Sequence, residues 1–252
     1  MNIFEQYGLK EVANVTFYEV GTNKPVLFLD SLKVSTIEQT AESTDAKGGW
    51  GNPSLITWDY NKEVNVTLED ALFSTMSLKT MMGAGIKVAS SKETQEIDIN
   101  EEITLDSTGK GKLSYPIKTG ASVYYLADGA YTTVTPTAGE ITIAALKEQE
   151  IRVFYKAEVN GTNGNAVEVT IGASTFGGTY RIVGDTVVRN TNGVDEPFQF
   201  VMEKAKVTSE VTFTMEAEGD PATFNLPLKV LKDSKGNMFK LIKYSLPTVS
   251  TT

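Results

Sequence analysis

The chain has 252 residues, with 32 acidic against 23 basic side chains and a formal charge of −9. That balance opposes a surface built to grip nucleic acid, which needs positive patches. Cysteine and histidine are both absent, which excludes disulfides, thiolate or imidazole metal ligands, histidine-based catalytic triads and histidine pH switches.

Only oxygen-ligand metals and paired carboxylates remain open, so no enzyme, no cofactor and no metal site is expected. No run approaches the ~18 apolar residues of a membrane span. The opening MNIFEQYGLKE has neither a basic n-region nor an apolar h-region, and a cytoplasmic start is expected.

In chain order, PVLFLDSLKVSTIEQ predicts a strand over 26–39 and LITWDYNKEVNVTL another over 55–68. In the second, Ile56, Trp58, Tyr60, Val64, Val66 and Leu68 alternate with Thr57, Asp59, Asn61, Glu63, Asn65 and Thr67. Such period-two patterning packs one face and wets the other; Lys62 and Leu55 are its exceptions. Between the strands lies TAESTDAKGGWGNPS, residues 40–54, read as a long polar loop. Most hairpin loops need no more than about five residues. A flexible arm that folds onto a neighbour, anchored by Trp50 between Gly49 and Gly51, accounts for the length. A loop that folds back and covers Trp50 internally is the alternative.

TLEDALFSTMSLKTMMG predicts the one helix, with Thr67 as N-cap, Glu69 and Asp70 in its first turn and Gly83 as its stop. Leu68, Ala71, Leu72 and Met76 would form its apolar stripe, and Met76, Met81 and Met82 read as core packing. From about 96 to 160, short strands with close turn signals suggest a small Ig-like β-sandwich. It is read as a domain inserted into a larger fold made of 1–95 and 161–252. Strands follow in AVEVTIGA, TYRIVGDTVVRNT, PFQFVMEKAKV, VTSEVTFTMEAEGD, ATFNLPLKVL and NMFKLIKY.

The motifs yield no chemistry. STGKGK (107–112) lacks the spacer and hydroxyl of a phosphate loop and reads as a hairpin turn. DINEEITLD (98–106) lacks the spacing and glycine of a calcium loop and reads as a solvated edge strand. The sequons at Asn14, Asn65 and Asn160 carry no meaning without a secretion signal.

Two stretches, FLDSLKVSTIEQTAESTDAKGGWGNPSLITWDYNKEVNVTLEDALFS and FQFVMEKAKVTSEVTFTMEAEGDPATFNLPLKVL, resemble the tail tube (major tail) proteins of long-tailed bacteriophages. The resemblance covers roughly 25–85 and 165–232 and includes a Gly219-Asp220-Pro221 turn. It implies a mainly β fold: a tail-tube-like sandwich or barrel with one flanking helix, stacked as hexameric rings around a DNA channel in a virion tail assembled in the host cytoplasm. Thr44, Asp45, Lys47, Trp50 and Asn52 would then make inter-subunit or inter-ring contacts. Asp59, Glu63, Glu210 and Glu216 would line the lumen and repel DNA, which passes without specific binding. The implied partners are further copies of the chain and other tail proteins (baseplate, terminator, possibly a sheath). Two other readings stay open: a different virion component, such as a baseplate or capsid protein, and a carbohydrate-binding or adhesion module.

Overall fold

The computed structural model describes residues 6–208 and 223–245. The fold is mainly β, with one α-helix among the described residues. The chain divides into two compact units, one formed by 1–85 with 171–252 and the other by 86–170. The sequence placed the boundaries of the inner unit ten residues further in on each side, at 96 and 160.

The first unit holds β1 (Tyr7–Leu9), β2 (Asn14–Glu19), β3 (Pro25–Leu29), β4 (Leu32–Lys47), β5 (Ser54–Asp70) and α1 (Thr75–Met82). It resumes with β14 (Thr179–Asn190), β15 (Asp195–Val207), β16 (Phe224–Val230) and β17 (Lys240–Lys243). These strands form one nine-stranded sheet in the order β3-β2-β14-β15-β16-β5-β4, with β1 also on β14 and β17 also on β15. Long β15 changes partner along its length: Phe198–Val201 pair with β17, and Ala205–Val207 pair with β16. Such switching lets one sheet turn a corner and fold over its own apolar face. Phe17, Leu68, Met81, Ile182, Met202, Leu226 and Leu228 fill that interior and are fully buried. No sheet closes into a barrel among the described residues.

The predicted helix begins later than its pattern suggests. Thr67–Asp70 continue β5 and pair with Pro227, Leu226, Asn225 and Phe224 of β16. Cross-strand pairing and the burial of Leu68 and Asp70 outweigh a helical spacing of apolar residues. Asp70 is held by the Ser31 hydroxyl at 2.5 Å. Ser74 is the N-cap: its Oγ accepts from the Ser77 amide, while Ser77 Oγ accepts from the Ser74 amide. Gly83 does end the helix, in the left-handed region at φ 64°. Leu72 and Met76 are exposed rather than part of a packed stripe, and only Met81 of the three methionines is fully buried.

The second unit contains β6 (Gly85–Val88), β7 (Gln95–Thr104), β8 (Lys110–Lys112), β9 (Val123–Ala127), β10 (Ala130–Val134), β11 (Glu140–Thr142), β12 (Glu150–Val159) and β13 (Val167–Thr170). A four-stranded sheet, β10-β9-β12-β7, and a two-stranded ribbon, β11-β8, enclose Leu105, Val123, Ile141 and Val153. β6 and β13 pair where the chain enters and leaves. STGKGK is the expected tight turn, closed by Asp106, whose Oδ1 accepts from the Thr108 and Lys110 amides. The acidic run is tied up in cross-strand pairs, Asp98 with Lys156, Glu102 with Arg152 and Glu101 with Tyr155. No cluster of three or more possible metal ligands occurs among the described residues.

Candidate functional site

Residues 40–54 are not a loose loop. β4 and β5 continue through them as one ladder, from Leu32↔Asp70 out to Lys47↔Ser54, and only Gly48–Pro53 form the turn. Over 54–62 every residue of β5 is exposed on both faces, and β4 is almost wholly exposed along its outer length. At about 3.3 Å per residue, the paired arm extends roughly 30 Å past the core. Isolated two-stranded hairpins are marginal in water, so local devices hold this one. Asp45 accepts from Thr57 Oγ1 and Ser54 Oγ, each at 2.7 Å. These hydroxyls, Thr57 first, hold its carboxyl below the usual carboxylate range.

Beyond a first irregularity at the base, between Leu32 and Val34, two bulges decide which side chains of the arm share a face. Thr40 opposes Glu63, but Glu42 opposes Tyr60, so β5 carries one extra residue at Asn61–Lys62, with Asn61 at φ 50°. Ala46 opposes Ile56 while Lys47 opposes Ser54, which leaves Leu55 as a second extra residue. Lys62 and Leu55, the two exceptions to the sequence alternation, therefore mark the bulges. Because directly opposed residues share a face, Ile56, Trp58 and Tyr60 lie with Ala46, Thr44 and Glu42 on the side opposite Val64, Val66 and Leu68. The continuous core-facing row expected from 56 to 68 is broken, and its outer half becomes an exposed apolar stripe.

The predicted contact residues are spread along this arm. Thr44 sits across from Trp58 on the apolar face, while Asp45 braces the polar one. Lys47 pairs with Ser54 at the last rung. Trp50 stands at the tip, fully solvent-exposed at 103% of its reference area, so the arm does not fold back to cover it. Asn52, at φ 51°, closes the turn by donating its amide to the Gly49 carbonyl at 3.1 Å. Gly49 and Gly51 take φ 81° and 84°, a left-handed geometry that suits glycine.

Of the predicted lumen carboxylates, Glu63 lies opposite the core face and pairs with Lys229 at 2.6 Å. Asp59 lies beyond the Asn61–Lys62 bulge, across from Ser43, on the other face of the ladder. The expectation that both share one wet face fails for that reason. Glu210 and Glu216, with the Gly219-Asp220-Pro221 turn, fall outside the described residues. The sequence pattern did not reveal an apolar groove at the arm's root, of about 540 Å3. Its walls come from five segments far apart in sequence.

No helix of the described residues is long and apolar enough to cross a membrane. A relative, the SPbeta prophage-derived uncharacterized protein YomU of Bacillus subtilis (strain 168), is 27% identical over 158 residues, covering 62% of this chain. The matched stretch spans 57% of that relative's length. The family match and this prophage relative both point to a phage-derived, tube-like protein. The model of the YomU/Tube protein family matches residues 7–241, nearly the whole chain, and the chain belongs to that family.

Proposed function

We propose that this chain is a structural virion protein that polymerises as stacked, hexameric rings into a phage tail tube and so forms a DNA conduit. The observation that carries the reading is the arm: a paired hairpin with an apolar stripe and a tip tryptophan that no described residue covers. Aromatic residues standing free in one subunit serve as anchors at the contact with the next. A contact between two different surfaces of the same chain does not close on a dimer. It continues into rings or helical stacks.

In this proposal the conduit is assembled in the host cytoplasm, joined by baseplate and terminator proteins, and does not bind DNA specifically. The carboxylates Asp59, Glu63, Glu210 and Glu216 enter it as lumen groups that repel phosphate over a short range.

Imaging the concentrated protein by negative-stain electron microscopy tests the reading, and tubes or stacked rings are the expected result. A second readout is available because both tryptophans of the chain, Trp50 and Trp58, stand exposed on the arm. Their emission should shift to the blue on assembly. A concentrated protein that stays monomeric, with unshifted emission, even in the presence of tail seeds would overturn the proposal.

A further inference from the structure

We infer that the arm of one copy docks into the apolar groove at the root of the arm of another copy, an inference that rests on the tube reading above. The groove opens on the first unit between β1, β4, β14, β15 and β17. Phe200 and Phe239, stacked at 6.0 Å between centroids, form its floor. Leu9, Val34, Ile37 and Leu241 wall it, and all four are more than a third exposed.

The groove cannot be filled by its own arm. Ile37 lies on β4 itself, and the ladder runs unbroken by any loop from there to Lys47. Ten residue steps of strand hold the tip roughly 30 Å away from the groove. A segment that carries both an anchor and, at its base, a receptor can satisfy both only with other copies.

Charge selects the same occupant. Between 38 and 63 the arm carries Glu38, Glu42, Asp45, Asp59 and Glu63 against Lys47 and Lys62, an excess of three acidic groups. The groove has Lys10 and Lys33 at its rim against Glu11 alone, in a chain whose overall charge is −9. Two copies of so acidic a protein repel, and a locally basic rim is where an acidic arm can approach. The volume lies in the range that seats a compact apolar ligand. Trp50, flanked by glycines and fully exposed, is the group that can enter it.

The absence of cysteine makes the test direct. One full-length copy carries Lys47→Cys beside the arm tip, and a second carries Glu11→Cys at the groove rim. Both positions are exposed, so neither substitution disturbs the core. The two are mixed under assembling conditions and oxidised. The expected result is a mixed disulfide dimer at least tenfold more abundant than that formed between Lys47→Cys and Thr22→Cys, a control on the β2–β3 turn. Lys10→Glu with Lys33→Glu should cut the yield several-fold, and Glu42→Lys with Asp59→Lys in the arm copy should restore it.

Tubes that form without the Lys47–Glu11 cross-link, or with equal cross-linking to Thr22→Cys, overturn the groove assignment and leave the tube reading standing. Cross-linked chains without tubes keep the arm-to-groove contact and overturn the tube reading. Neither product, in the presence of tail seeds, overturns both.

Discussion

At the scale of single residues, exposure and backbone geometry decide what a substitution costs. Trp50 lies in the turn between β4 and β5 and is fully exposed, whereas Gly83 caps α1 and is hemmed in. Trp50→Ala should leave the melting temperature unchanged and abolish tube growth, since truncating a buried anchor costs about 2 kcal/mol or more at an interface. Thermal unfolding and electron microscopy of the same preparation check both halves. Gly83 is the opposite case: a Cβ there would stand 2.2 Å from the Phe176 carbonyl, in addition to the left-handed φ. Gly83→Ala should lower stability by about 2 kcal/mol or more, measured by denaturant unfolding.

Asp45 gives a pH dependence at the same scale. Its folded-state pKa lies below its ordinary value of 3.8. The brace it makes is therefore present above the ordinary range and is lost as pH falls through the depressed value. Tryptophan emission, which reports only on the arm, should stay constant from neutral pH down to about 4 and change below it. In Asp45→Asn that acid transition should disappear.

At the scale of elements, the arm is separable from the core that supports it. β4 and β5 bury side chains only near their shared base, where Leu32, Val64, Val66, Leu68 and Asp70 lie. Replacing residues 41–62 by an Asn-Gly turn, which suits a tight hairpin, should give a folded monomer with an unchanged core and no tubes. Circular dichroism and analytical ultracentrifugation would expose the error if the shortened chain still polymerised. In the second unit the Glu101–Tyr155 pair is the comparable element-level tie. Tyr155 Oη donates to Glu101 at 2.7 Å and accepts from the Tyr115 amide at 3.2 Å. Burial, and then this carboxylate, push the phenol pKa well up, so the hydroxyl stays protonated as a donor. Burial alone would raise Glu101, but hydrogen bonds from Ser114 and Tyr155 outweigh it and the net shift is downward.

At the scale of the whole molecule, the 86–170 unit has its own core and enters and leaves through the paired strands β6 and β13. Joining that ladder directly, with 89–166 replaced by a short Gly-Ser turn, should leave the first unit folded and its tubes intact but thinner. Insoluble protein would instead place the unit in the structural core. The lumen proposal is also tested on the assembled tube. Lysine at Asp59, Glu63, Glu210 and Glu216 together should preserve tubes and slow DNA ejection, more so at low salt. The bulge at Asn61–Lys62 puts Asp59 and Glu63 on opposite faces. The two single lysine variants should therefore differ, with only one of them slowing ejection.

Much of this protein was decided locally. Period-two alternation along 55–68 and the Val-, Ile- and Thr-rich runs made the β class evident, because a strand's side chains face alternate sides whatever it packs against. Gly83 as a helix stop and the STGKGK turn were legible for the same reason, since only one or two residues set those conformations. Lys62 and Leu55 even carried the trace of the two bulges in the arm. The register across β4 and β5 was not local. It turned Thr67–Asp70 from a helix start into strand, carried the hairpin out to Lys47, and moved Ile56, Trp58 and Tyr60 to the other face. The groove likewise exists only after β1, β4, β14, β15 and β17 meet. A one-residue shift in pairing exchanges buried for exposed side chains along a whole strand. Such a shift depends on the partner strand as much as on the strand itself, so only the tertiary structure decided it.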